Sequence, residues 1–250
     1  MTPAPPLPRP CDGLLLDAGN TVLLMDFEWL KGLLSRYGWN YQVQTLMRAE
    51  AWARPRLSRY LSEGTSTEAP DTLLFYAKAL LEKAAKIEEK EGESTLATPS
   101  GGQMKEFLGA LRAEDNWDRL WSRVPQGLPQ ALEAFRASGR RLGIVSNADG
   151  TVAQKLKRAG LLPLFDFVVD SALVGIEKPD PGIFELALER ADLPPDRVLY
   201  VGDLYAIDVL GARRAGITGA LVDPFGDWEG VDCPTRPSST DFALDLLAQG

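Results

Sequence analysis

The chain has no histidine among its 250 residues. Catalytic triads and dyads built on a histidine base, zinc sites of the HExxH type and phosphohistidine chemistry are therefore excluded. Any acid, base or nucleophile must come mainly from Asp, Glu, Lys, Ser, Thr, Tyr or Cys. Cysteine is scarce as well: Cys11 and Cys233 stand at opposite ends and form no CxxC pair. Neither a disulfide framework nor a cysteine-held structural zinc is indicated. No apolar run reaches the roughly 18 residues of a membrane span. The proline-rich start, Met1-Thr2-Pro3-Ala4-Pro5-Pro6, lacks the apolar core of a signal peptide, so a cytoplasmic protein outside any membrane is expected. Positive charge is in deficit, with 27 Lys and Arg against 35 Asp and Glu and a net charge of -8. A nucleic-acid partner is not expected, because binding a phosphate backbone generally needs a basic face.

What is present points to a strand tip. In Gly13-Leu14-Leu15-Leu16-Asp17-Ala18-Gly19-Asn20-Thr21 an apolar run enters one acidic residue followed by small and hydroxyl-bearing ones. A run of this length bounded by glycine reads as a buried parallel strand, and in open α/β sheets ligands bind at the carboxyl ends of strands. Asp17 is thereby a candidate nucleophilic carboxylate. Two residues later, where a second acid would be sought, stands Gly19.

Beyond Asp17 the pattern lengthens. Residues 27–37, 45–60, 71–90 and 103–112 carry apolar residues at helical spacing, with Gly-, Ser-, Thr- or Pro-rich breaks at 62–70 and 92–102. An all-helical insert at 27–123 is expected, and the charge run 82–93 reads as a solvated helix face. From Pro125 the chain alternates: helices at 128–138, 151–159, 181–191 and 207–215 separate strands at 141–145, 167–169, 198–201 and 219–222. Such alternation predicts an α/β fold, a doubly wound parallel sheet with right-handed crossovers. Residues 1–10 read as a flexible proline-rich tail, 11–26 and 124–250 as the core.

Further chemistry falls after the later strands. Ser146 and Asn147 follow one strand, Asp203 another with Asp208 five residues on, and Lys178 precedes Pro179 in a loop. Each alone reads equally well as a cap or turn. Together they place three carboxylates, a hydroxyl and an amide on one face of one sheet, with an ammonium nearby. That inventory suits phosphoryl transfer: a carboxylate attacks phosphorus, Mg²⁺ and lysine offset the negative charge, and neutral donors hold the remaining oxygens.

These residues resemble the haloacid dehalogenase-like hydrolases, through LLLDAGNT, IVSN, EKP and VGDLYAID in that order. The stretch from Lys178 to Phe184 and the segment Gly211-Ala212-Arg213-Arg214-Ala215-Gly216 are similar to the phosphatase-like branch. The resemblance implies a Rossmann-like core with a helical cap domain that sets substrate choice. It also implies a Mg²⁺-dependent phosphatase working through an aspartyl-phosphate on a small phosphorylated metabolite. By motif, Asp17 is nucleophile and metal ligand, Gly19 a metal ligand through its carbonyl, Asp203 a further metal ligand and Asp208 an outer-shell one. Thr21 and Ser146 contact the phosphoryl group, Asn147 orients it, and Lys178 bridges it to Asp17. The departure is Gly19, where most phosphatases of the family carry an aspartate that acts as general acid and base. Two other readings follow from that gap. One is a phosphonate- or haloacid-cleaving relative, with Lys31, Lys78, Lys83 and Lys86 as candidates for the imine that phosphonate cleavage would need; the other is a low-activity member that binds a phosphorylated ligand or a protein.

Overall fold

The computed structural model describes residues 6–91 and 100–249. Half of the expected tail, positions 1–5, and most of the break at 92–102 lie outside the described residues, as does the end of the charge run. Strands β1 (Gly13–Leu16) and β2 (Leu24–Met25) precede five helices: α1 (Phe27–Ser35), α2 (Val43–Leu61), α3 (Pro70–Glu91), α4 (Gly101–Leu111) and α5 (Glu114–Leu120). Strand β3 (Trp121–Arg123) pairs with β2 as a separate two-stranded sheet. Then come α6 (Leu128–Ala137), β4 (Arg141–Ser146), α7 (Val152–Arg158), β5 (Phe167–Asp170), α8 (Ser171–Val174) and α9 (Pro181–Ala191). The chain continues through β6 (Val198–Gly202), α10 (Leu210–Arg214), β7 (Thr218–Val222), β8 (Thr235–Arg236) and α11 (Ser239–Leu247). By contacts the chain divides into two compact units, one of them Met25–Ser122 and the other formed by the chain on either side of it.

The larger unit is built on a six-stranded sheet in the order β5-β4-β1-β6-β7-β8, parallel throughout. Leu14, Leu15 and Leu16 are wholly buried, as are Val198 through Val201. A parallel strand covered on both faces must read as a continuous apolar run, which is the pattern of these segments. Strand β1 lies between β4 and β6, with Leu16 level with Ile144 on one side and Val201 on the other. The chain winds away from β1 first to one edge and then to the other. The end of β1 is therefore the switch point of the sheet, where such folds leave a crevice. One buried cluster under it joins Leu15, Val145, Val169, Ile183, Phe184 and Tyr200.

The other unit is helical apart from its share of β2 and β3. Asp26 caps α1 by accepting from the Trp29 amide, and Ser100 and Gln103 form a reciprocal capping box on α4. Tyr37, Trp39 and Phe107 pack as an aromatic cluster, and the buried Arg54 pairs with Glu50 one turn away. No helix among the described residues is long and apolar enough to cross a membrane.

The helix expected at 207–215 differs. A π-helical turn spans Tyr205–Val209 and passes into α10. Within it the carboxylate of Asp208 turns back to accept from the amides of Asp203 and Leu204 at 3.1 and 2.8 Å. A wide turn at a functional site is a common use of this conformation.

Candidate functional site

Asp17 follows β1 directly, and its amide extends the ladder by donating to Val201 O at 2.9 Å. The carboxylate is buried, and burial raises its pKa above the ordinary aspartate value; Lys178 opposes the rise and Asp208 adds to it. Lys178 arrives from the loop before α9 and is 4% exposed. Its ammonium donates to Asp17 Oδ1 at 2.7 Å, Asp208 Oδ1 at 2.7 Å and Tyr200 Oη at 2.9 Å. Burial works against that charge, but the two carboxylates outweigh it and hold the ammonium above the usual lysine value.

The backbone of Lys178 is held separately. Asn147 Nδ2 donates to its carbonyl at 2.9 Å, and Asn147 Oδ1 accepts from its amide at 2.7 Å. The side-chain amide of Asn147 thus fixes the loop that delivers the lysine. Ser146 is buried at the end of β4; its hydroxyl donates to Asn147 O at 3.5 Å, and its nearness to Asp17 works against the rise in that carboxylate's pKa.

The loop after Asp17 is tightly wound. Asn20 takes a left-handed conformation, φ 52°, which asparagine tolerates better than most residues. Gly19 bridges to Leu23 through the Asn20 amide donating to Leu23 O and the Leu23 amide donating to Ala18 O. Neither bond uses the Gly19 carbonyl. Thr21 is fully buried; its carbonyl accepts from Ser239 Oγ at 2.6 Å, while its own hydroxyl has no hydrogen-bond partner. An unpartnered buried hydroxyl costs stability unless a ligand or water completes it, and such exceptions gather at functional sites.

Asp203 lies just past β6, buried, with Oδ2 accepting from Asn20 Nδ2 at 3.0 Å. Asp208, expected as an outer-shell metal ligand, is buried and fully engaged by protein donors. Its Oδ2 takes two backbone amides and its Oδ1 takes Lys178 and lies 3.0 Å from Tyr200 Oη, so it clamps the lysine and offers no direct ligand oxygen. No group of three or more Asp, Glu, Cys or His side chains among the described residues forms a metal cluster. The donors that remain, the carboxylates of Asp17 and Asp203 and the Gly19 carbonyl, are hard oxygens. They match an ion that takes one or two carboxylates and keeps several waters, as Mg²⁺ does.

Two participants escaped the sequence reading. Asn20 carried no signal beyond its place in the loop. Tyr200 did: it is the polar-tipped side chain in an otherwise apolar strand, and a buried tyrosine hydroxyl needs a partner.

Residues 76–216 match the family model of the haloacid dehalogenase-like hydrolases. The match begins beyond Asp17 and includes Ser146, Lys178, Asp203 and Asp208. The chain is 38% identical over 104 residues to haloacid dehalogenase-like hydrolase domain-containing protein 3 of Xenopus laevis, covering 42% of each chain. It is 44% identical over 91 residues to glyceraldehyde 3-phosphate phosphatase of Methanothermobacter thermautotrophicus, covering 36% of this chain and 40% of that one. The chain thus spans about two fifths of the length of these curated relatives. A crystal structure of a phosphatase of the family from Thermococcus onnurineus superposes with a TM-score of 0.57 at 24% identity, covering 95% of this chain and 97% of that one. That likeness is one of fold.

Proposed function

This chain belongs to the haloacid dehalogenase-like hydrolases, and we propose that within that family it hydrolyses a small phosphorylated molecule, with Asp17 as the group that takes the phosphoryl. The observation that carries this reading is the buried Asp17 carboxylate at the switch point of the sheet, bonded to the Lys178 ammonium at 2.7 Å. In the first step a carboxylate oxygen of Asp17 attacks phosphorus, the bond to the leaving oxygen breaks, and that oxygen departs with the electron pair. In the second, water attacks the aspartyl-phosphate and releases inorganic phosphate with Asp17 restored.

Each neighbour has work in this scheme. Lys178 orients Asp17 and offsets the charge of an incoming phosphate dianion, and Asp208 with Asn147 fixes Lys178. The Thr21 and Ser146 hydroxyls donate to phosphoryl oxygens, which would give the Thr21 hydroxyl the partner it lacks in the protein. Asp17, Asp203 and the Gly19 carbonyl would hold Mg²⁺, which would supply the remaining positive charge to offset that of the phosphoryl group. The phosphatase named among the similar proteins supports a phosphate ester as the substrate class.

The test is release of inorganic phosphate from an aryl phosphate and a panel of small phosphorylated metabolites, with and without Mg²⁺. Mg²⁺-dependent release that is lost in Asp17→Asn is expected. Release no greater than that of Asp17→Asn across the panel would overturn the reading.

A further inference from the structure

Tyr200 lies on β6, fully buried, with its ring edge-on to Phe184 at 4.9 Å between centroids. Its hydroxyl stands 2.9 Å from Lys178 Nζ and 3.0 Å from both Val145 O and Asp208 Oδ1. A phenol carries a single proton, which serves Val145 O or Asp208 Oδ1 at any moment, while an oxygen lone pair faces the ammonium. Lys178 has three N–H bonds and three acceptors: Asp17, Asp208 and Tyr200.

Two of those acceptors are charged and belong to the site; the third is neutral and anchored elsewhere. Val145 is on β4 and Tyr200 on β6, and β1, which Asp17 follows directly, runs between them. The tyrosine therefore ties the ammonium to the frame of the sheet across the strand that carries the nucleophile. Without it, Lys178 would be free to turn about its bonds to two carboxylates, and a buried N–H would be left without an acceptor.

We propose that Tyr200 is a positioning residue for the reaction, whose hydroxyl fixes the direction of the Lys178 ammonium against Asp17. The kinetic consequence rests on the hydrolase reading above; the geometric one does not. Tyr200→Phe keeps the ring and its packing on Phe184 and removes the oxygen alone. An interaction that matters while phosphorus is being transferred should lower kcat about tenfold and leave KM within about twofold.

The experiment combines steady-state kinetics on an aryl phosphate with NMR of protein labelled with ¹⁵N at lysine, the Lys178 ammonium resonance being assigned by its loss in Lys178→Met. In the unaltered protein a slowly exchanging ammonium resonance is expected, together with a Tyr200 hydroxyl proton showing a cross-relaxation contact to it. In Tyr200→Phe that resonance should broaden or vanish, with a melting temperature within a few degrees of the original. An unchanged kcat with a retained ammonium resonance would overturn the proposal. Should Tyr200→Phe fail to fold, absence of the hydroxyl-to-ammonium contact in the unaltered protein overturns it equally. Absence of all turnover in the unaltered protein would contradict the hydrolase reading, while the NMR result still decides the role of Tyr200.

Discussion

The carboxylate of Asp208 occupies the space that a side chain at position 202 would need: a Cβ built on Gly202 would stand 2.2 Å from Asp208 Cγ. The glycine at the end of β6 is thus what lets Asp208 reach the amides of Asp203 and Leu204 and hold Lys178. Gly202→Ala should displace Asp208, destabilise the fold by about 1–3 kcal/mol as overpacking does, and reduce phosphate release. Urea denaturation and the aryl phosphate assay check both effects, and a variant with unaltered stability and activity would contradict this account of the clamp.

Removing Lys178 leaves two buried carboxylates facing each other. Lys178→Met should cost about 3–5 kcal/mol, the range for breaking one side of a buried ion pair, and should abolish phosphate release. Equilibrium unfolding measures the first effect. A variant as stable as the parent would mean that water or another cation already offsets Asp17 and Asp208.

Gly19 has no side chain with which to protonate a leaving group, and general acid help is worth about 10²–10⁴ in rate. Turnover should therefore fall steeply as the pKa of the leaving group rises across a series from aryl to alkyl phosphates. A flat dependence, with the chemical step shown to limit the rate, would contradict this expectation.

Cys233 lies in the same unit. It packs with Val209 and Leu221, and burial pushes its thiol up to about 12; Arg213 opposes the rise and Asp232 adds to it. Because the folded value lies above the ordinary 9.0, the stability it contributes is complete below about pH 9 and is lost as pH rises towards about 12. Between about pH 9 and about pH 11 the parent should lose stability more steeply than Cys233→Ala, as followed by urea midpoints. Equal slopes would show that the thiol titrates alike in the folded and unfolded chains.

Much of the fold was legible because buried parallel strands write themselves as apolar runs. Leu14 to Leu16 and Val198 to Val201 were read as strands from that pattern alone, and helix α9 from its spacing and the proline that opens it. Strand β8 and helix α11 were not read: β8 is two residues long and exists only through pairing with β7. The helix expected at 207–215 opens instead as a π-helical turn beginning at Tyr205; local periodicity carries no trace of the amides that Asp208 reaches. Within the site, Asp17, Lys178 and Asp208 were singled out by their place after strands and in motifs, and the structure brings them within hydrogen-bond reach. Tyr200 was missed because an aromatic residue in a buried strand reads as packing, and the bonds of Asn147 to Lys178 carry no local signal because that backbone comes to it from 31 residues away.

The central claim is that Asp17 accepts the phosphoryl group. Rapid acid quenching during Mg²⁺-dependent turnover of an aryl phosphate, followed by peptide mass spectrometry, tests it directly. A phosphoryl adduct on Asp17, formed and lost at rates that match turnover and absent from Asp17→Asn, is the expected result. Phosphate release at the parent rate by Asp17→Asn, or an adduct on another residue, would contradict it.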